Sequence, residues 1–166
     1  MANLKDIRDR IKSVKSIQQV TSAMRMVAAA KLRRAQERME QARPYEQRLQ
    51  ELINHLLPDV DRDLLKLLQI RDVKRIGYLI VTSDRGLAGA FNNNIIKKAE
   101  SEIEMIGREN VDLFCIGRKG RDYFKKRGYS VILEYVEFWN ELDFIHARKF
   151  GKSIVSHFLS GKVDEI

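Results

Sequence analysis

Residues 3–56 contain no glycine and a single proline, and apolar side chains recur among them every three or four positions. This spacing forms two columns of a heptad pattern. One column holds Leu4, Ile11, Gln18, Arg25, Leu32, Met39, Glu46 and Ile53, and the other holds Ile7, Val14, Thr21, Ala28, Ala35, Ala42, Leu49 and Leu56. The pattern predicts one helix of about 50 residues, about 75 Å long, with an apolar seam that a partner must cover.

The seam is uneven along its length. Its second column is small in the middle, where Ala28 and Ala35 would let another helix approach closely. Gln18 and Arg25 interrupt the first column, where Ile17 and Met24 offer apolar alternatives, so we expect the supercoil to drift there. Pro44 predicts either a kink or the point where the helix joins a globular body.

The net charge of +8 is concentrated in the same helix. Residues 1–43 carry eleven Lys and Arg against four Asp and Glu, a net +7, whereas the remaining 123 residues carry 20 against 19. A basic arm of this kind binds nucleic acid, an anionic membrane or acidic surfaces of another protein. A merely solvated basic face does not account for the apolar seam, which would aggregate if it stayed uncovered.

From residue 73 onward, buried-strand and helix patterns alternate with short connections. Strands are predicted at 73–82, 111–116 and 130–136, and helices at 92–107, 119–127 and 142–160, the first of them with asparagine caps. This alternation predicts an α/β fold, an incomplete Rossmann-like and mostly parallel sheet flanked by helices, behind the N-terminal coiled-coil helix.

We therefore divide the chain into a shaft helix at 1–56, a connector at 57–72 and an α/β domain at 73–166. A fourth strand is expected to begin near Val163, so we expect the chain to be a fragment truncated before its last strand. The chain has one cysteine, no apolar run of the roughly 20 residues that cross a bilayer and no recognisable leader. These features predict a soluble, unprocessed bacterial cytoplasmic protein.

The loop at 83–89 is the sharpest local motif. Its glycines, Gly86 and Gly89, follow a strand and precede a helix, but they form neither GxGxxG nor GxxxxGK[ST]. The second strand ends in Ile116, Gly117 and Arg118, without the acidic residue that holds a ribose. We interpret the two glycines as allowing a tight turn and close helix–strand packing, and we predict no cofactor.

Other polar residues give weaker signals. The Asp59, Asp61 and Asp63 series lacks the glycine and the glutamate of a calcium loop. Scattered histidines (His55, His146 and His157) lack metal-ligand spacing, Cys115 is interpreted as a buried small hydrophobe, and Glu137 with Glu141 defines no cleft. The basic run at 118–127 is either a phosphate-binding patch or a solvated helix face with Tyr123 and Phe124 packed on the sheet. We predict no metal site and no catalytic residue.

The motifs in combination resemble the gamma-subunit family of bacterial F-type ATP synthases. The similarity is carried by residues 7–11 (IRDRI), 21–32 (TSAMRMVAAAKL), 42–45 (ARPY) and 82–89 (TSDRGLAG). Many family members have cysteine where this chain has Ala88. The family also continues through the rest of the sheet into a long C-terminal helix, which is missing here.

The resemblance implies a non-catalytic central-stalk rotor that couples a proton-driven membrane ring to the catalytic head. It implies contacts with the alpha and beta subunits, the epsilon subunit and the c-subunit ring, at the cytoplasmic face of the bacterial inner membrane. It places Met24, Arg25, Lys31 and Arg34 in the helix region that faces the beta subunits. Two alternatives remain: a nucleic-acid-binding protein using the basic helix, and a nucleotide-dependent enzyme with a degenerate Rossmann-like domain.

Overall fold

The computed structural model describes residues 3–61, 64–137 and 143–166. The chain divides into two compact units, Met1–Val60 and Asp61–Ile166. The first unit is one helix, α1 (Leu4–Leu56), which ends in a 3₁₀ turn at Leu57–Asp59. The predicted helix is thus confirmed, and it continues through Pro44.

Both ends of α1 follow from local chemistry. Asn3 has extended backbone geometry and its side chain accepts a hydrogen bond from the Lys5 N–H at 3.4 Å, which caps the helix. Asp6 lies in the first turn, where its negative charge is favourable at the positive end of the helix dipole. Pro58 sits in the 3₁₀ turn that follows Leu56, and a proline there does not extend the α-helical hydrogen bonding.

The second unit is the predicted α/β fold. Its elements follow in the order β1 (Ile76–Val81), α2 (Phe91–Ile106), β2 (Val111–Ile116), α3 (Arg118–Lys126), β3 (Val131–Tyr135) and α4 (Phe144–Leu159). The three strands lie in the order β1-β2-β3 and both pairings are parallel. The Leu142 start that the sequence predicts for the last helix lies outside the described residues.

Two hydrophobic clusters cover the sheet. One face packs against α2 and α3 through Ile96, Ile103 and Phe124, and the other packs against α4 through Phe150. Central strand β2 is buried on both sides, as parallel strands usually are. Strand β1 differs from the fully buried strand that the sequence predicts, because α4 covers β2 and β3 and leaves Leu79 and Val81 exposed.

The chain returns to β1 after α4. Glu165 forms an isolated parallel bridge with Ile76, and the Gly77 N–H donates to the Glu165 carbonyl at 2.8 Å. Val163 is fully buried beneath α4. The strand expected near Val163 is therefore present here as a single bridge on the outer edge of β1. With helices on both faces, this arrangement is typical of doubly wound α/β folds.

Candidate interaction site

We call the two heptad columns of α1 the α1 seam. No described residue of α1 is buried, and seam side chains such as Leu32 and Leu49 are 60% and 44% exposed. Helices in proteins gain most of their stability from packing an apolar face, whereas the described apolar side chains of α1 are all exposed. The seam has the chemistry of an interface for another helix.

The ion pairs on α1 do not change this picture. Arg33 pairs with Glu37 and Arg48 with Glu51, and all four side chains are more than half exposed to water. Exposed pairs of this kind add little stability because water screens them. Neither of these ion pairs involves the residues that the family resemblance places at the beta subunits.

Helical geometry sorts those four residues into two groups. Met24 and Lys31 lie seven residues apart and therefore on nearly the same side of α1, with Arg34 about 60° further round. Arg25 belongs to the seam itself. The structure therefore places Met24 and Lys31 on one flank of the seam and Arg34 beyond them, towards the opposite side of α1. It places Arg25 where a partner helix would lie. Their contact role stays a prediction.

In the α/β unit, the loop after β1 is held by one carboxylate. Asp84 accepts hydrogen bonds from the Arg118 N–H and the Glu137 N–H, both at 2.7 Å. Arg118 also forms an ion pair with the Glu137 side chain. Asp84 thus joins the segments that follow β1, β2 and β3 at the carboxyl edge of the sheet.

Asn92 has a different role from the predicted one. Helix α2 begins after Ala90 without a side-chain cap. The Asn92 side chain instead accepts from the Ser83 N–H at 2.9 Å and donates to the Ser83 hydroxyl at 2.9 Å. The asparagine-cap prediction was wrong because Asn92 is already the second residue of the helix, and from there its amide reaches back to the loop.

The loop glycines also differ from the prediction. Gly89 has φ +56°, a left-handed conformation that favours glycine, so its turn role is confirmed. Gly86 faces only the end of Lys119 at 3.9 Å and permits no close packing. Gly117 and Gly120 serve that purpose, because Cβ atoms there would lie 2.0 Å and 3.1 Å from atoms of Thr82.

Two amides at this edge of the sheet are already used within the protein. The Ser83 N–H is bound by Asn92, and the Arg118 N–H by Asp84. A cleft of about 500 Å³ lies between the loop and helices α2 and α3, and exposed Lys119 and Lys126 contribute to its walls. Lysine side chains are long and flexible, so this cleft does not present polar groups at fixed positions for a ligand.

The basic run on α3 is a packed and paired helix face. Phe124 is fully buried and Tyr123 packs against the same cluster. Lys125 forms an ion pair with Glu134, and the Arg127 guanidinium lies 3.6 Å from the centre of the Tyr123 ring. The packed interpretation of the aromatic residues is thus confirmed, and several of the charges are paired as well as solvated.

Two further residues considered as candidates from the sequence, Cys115 and His157, make contacts within the α/β unit. Cys115 is fully buried in β2, and burial, with a smaller contribution from Glu134, raises its thiol pKa to about 12. His157 hydrogen-bonds the Ser153 carbonyl and meets Phe114 edge-on. Asp63 and Glu141 lie outside the described residues. Across the described ranges, no three His, Cys, Asp or Glu side chains are grouped as metal ligands would be.

Fold and site together define a class: a doubly wound α/β unit with a long helical extension whose seam is uncovered. The sequence profile of the ATP synthase family matches residues 3–166. The chain is 50% identical to the ATP synthase gamma chain of Chloroherpeton thalassium and 44% identical to that of Heliobacterium modesticaldum, each over its whole length. The chain therefore belongs to the ATP synthase gamma-chain family.

Coverage of these relatives is partial. The chain spans 57% of the length of either gamma chain. A chain in the solved mitochondrial ATP synthase of Euglena gracilis, determined as an OSCP/F1/c-ring assembly, superposes with a TM-score of 0.53 at 16% identity. That match covers 90% of this chain and 46% of the other, and it supports the fold. These comparisons give no support to the nucleic-acid-binding alternative.

No described helix combines the length and apolar character that a membrane span requires.

Proposed function

We propose that the protein is the central-stalk rotor subunit of an F-type ATP synthase. It transmits rotation between the proton-driven membrane ring and the catalytic alpha and beta head, and it supplies no catalytic side chain. The observation that carries this proposal is α1, a 53-residue helix with an apolar seam and no described residue buried, in a chain of the gamma-chain family. A rotor shaft needs this stiffness and length.

The proposed partners follow the division of the molecule. The shaft at residues 1–56 presents its seam to an antiparallel helix from the rest of the subunit and its basic flank to the alpha and beta subunits. Beyond the connector at 57–72, the α/β domain at 73–166 contacts the epsilon subunit and the c-subunit ring. The assembly lies peripherally at the cytoplasmic face of the bacterial inner membrane, and it does not include nucleic acid.

Charge reversal on the shaft tests the proposal. In the full-length subunit, Arg25→Glu, Lys31→Glu and Arg34→Glu together reverse three charges of α1. Arg25 lies in the seam, and Lys31 and Arg34 lie outside it, where the proposal expects acidic surfaces of the head. Repulsion should lower ATP-driven proton pumping in membrane vesicles by about tenfold, since like charges at an interface cost several kcal/mol. The quench of a pH-sensitive dye measures this directly.

A matched control carries Lys97→Glu, Lys98→Glu and Lys126→Glu. These substitutions change the net charge by the same amount as the shaft variant, but they lie on α2 and α3 of the α/β unit. This variant should pump within about twofold of the wild type, because the charges lie away from the shaft. Equal pumping by the shaft variant and the wild type would contradict the proposed role of these residues.

A further inference from the structure

We propose that the solvent-facing side of α4 binds an acidic segment of another polypeptide that also carries apolar side chains. We call this side the α4 outer face. It consists of Phe144, Ile145, Arg148, Lys149, Lys152, Val155 and Leu159. The proposal rests on α4 alone and does not depend on the rotor function.

The first observation is apolar exposure on a helix whose core contacts are already made. Phe150 is buried against the sheet, and Ile154 and Phe158 pack around the same cluster. On the opposite side, Phe144 and Ile145 remain 67% and 60% exposed. Single exposed apolar residues are normal, but four on one helix face mark an interaction surface.

The second observation is the charge of this face. Helix α4 contains no Asp or Glu. Its cations Arg148, Lys149 and Lys152 are exposed and form no ion pair with any residue in the described part of the chain. Elsewhere in the unit, by contrast, Lys98 pairs with Glu102 on α2, and Arg108, which follows α2, pairs with Glu104.

Two carboxylates in the segments that border α4, among the residues that the structure describes, are committed to other groups. Asp143 accepts from the Phe144 N–H and caps the helix. Asp164 accepts from the Lys74 and Arg75 N–H groups, each at 2.9 Å, and these hydrogen bonds lower its pKa. The α4 outer face is therefore a positive surface with apolar side chains, and its complement is acidic and apolar.

The arrangement of the cations favours a protein partner over a membrane. In a helix that lies in a lipid surface, cations flank a continuous apolar stripe. Here Arg148 and Lys152 lie along the middle of the face, between Phe144 and Ile145 at one end and Val155 and Leu159 at the other. Insertion would carry both cations into hydrocarbon, whereas an acidic helix would pair with them.

A site-specific dye provides the test. The one native cysteine of the chain, Cys115, is buried. The variant Ser156→Cys therefore allows selective labelling with acrylodan beside the α4 outer face. The labelled 166-residue chain is titrated with an 18-residue amphipathic peptide of Leu and Glu. Parallel titrations use the same peptide with Lys in place of Glu, and phosphatidylglycerol vesicles. A local dye separates this binding from any binding to basic α1.

We expect a saturable blue shift with the Leu/Glu peptide alone. The double variant Arg148→Glu and Lys152→Glu should weaken binding about tenfold or more, because it reverses the charge at the centre of the face. Phe144→Ser with Ile145→Ser should weaken binding about fivefold through lost apolar contact. The control Lys97→Glu with Lys126→Glu should leave the affinity within about twofold.

The affinity of a double variant counts only if its thermal unfolding midpoint is close to that of the wild type. If only one of the two α4 double variants meets this condition, that variant is sufficient for the test. The proposal is overturned if the dye does not respond to the Leu/Glu peptide, or if the control weakens binding as much as the α4 variants. It is also overturned if the vesicles, and not the peptide, produce the shift, since the face would then be a lipid-binding surface.

Discussion

A Cβ atom on Gly117 would lie 2.0 Å from the main-chain oxygen of Thr82. Gly117 also has φ +94°, and Thr82 is 1% exposed. The Thr82 hydroxyl in turn accepts a hydrogen bond from the Gly120 N–H at 2.9 Å. The carboxyl ends of β1 and β2 therefore meet backbone to backbone, which leaves no room for a side chain between them.

Gly117→Ala should be among the most damaging single changes in the α/β unit. The added methyl group must displace main-chain atoms and adopt a strained φ, so we expect the free energy of unfolding to fall by about 4 kcal/mol. Urea denaturation measures this. Gly128→Ala is the control: it has φ +74° but open space around its Cβ position, so it should cost only about 1 kcal/mol. Similar costs at both positions would contradict the close-packing account.

Asp84→Ala should loosen the carboxyl edge of the sheet. It removes the acceptor for the Arg118 and Glu137 N–H groups, and the loss of two hydrogen bonds to a charged group should cost about 2–3 kcal/mol. The exposed Asp72 provides a matched control, and Asp72→Ala should change stability by less than about 0.5 kcal/mol. Thermal or urea unfolding that shows equal effects would argue against the role of Asp84.

The burial of Cys115 makes a prediction about pH. Its folded-state pKa of about 12 lies above the ordinary value of 9.0, so folding favours the protonated thiol. This contribution to stability is fully present below pH 9 and is lost as the pH rises from 9 towards 12. The wild type should therefore lose more stability between pH 8 and pH 10.5 than Cys115→Ala loses.

Thiol labelling gives a second measurement of the same property. At pH 8 in native buffer, Cys115 should react with a disulfide reagent about a thousandfold more slowly than in urea, because the thiolate is scarce and covered. Fast labelling of the native protein, or identical pH profiles for the wild type and Cys115→Ala, would contradict this assignment.

Amide hydrogen exchange should be faster in α1 than in the central strand β2. The amides of Leu113 and Phe114 lie in a strand buried on both sides, whereas those of Ala28 and Ala35 lie in the uncovered middle of α1. Local opening of an uncovered helix costs less free energy, so we expect the α1 amides to exchange about a hundredfold faster. Equal protection of both segments would show that something covers the α1 seam in this chain.

Much of the α/β unit could be predicted because its strands and helices carry strong hydrophobic patterns. Strand β2 matches the prediction residue for residue, since glycine and polar residues bound its apolar run. Strand β1 begins three residues later than predicted, because the carboxylate of Asp164 binds the N–H groups of Lys74 and Arg75. A contact across about 90 residues leaves no local signal.

The errors at the candidate site arise where the type of a residue does not decide its structural role. Asparagine is common both at helix caps and in loop contacts, so residue type did not distinguish the two roles of Asn92. Likewise, the glycine that packs closely on Thr82 follows a different strand from the glycines of the loop. The α4 outer face has no separate signal in the sequence, because its exposed Val155 and Leu159 directly follow the half-buried Ile154 and Phe158.

The rotor proposal makes its most direct prediction about motion. A bead is attached through Asn93→Cys on α2 of the full-length subunit, assembled with alpha and beta subunits that are fixed to a surface. Addition of ATP should make the bead turn in one direction, and the turning should stop when ATP is removed. A bead that stays still while the same assembly hydrolyses ATP at its normal rate would contradict the account.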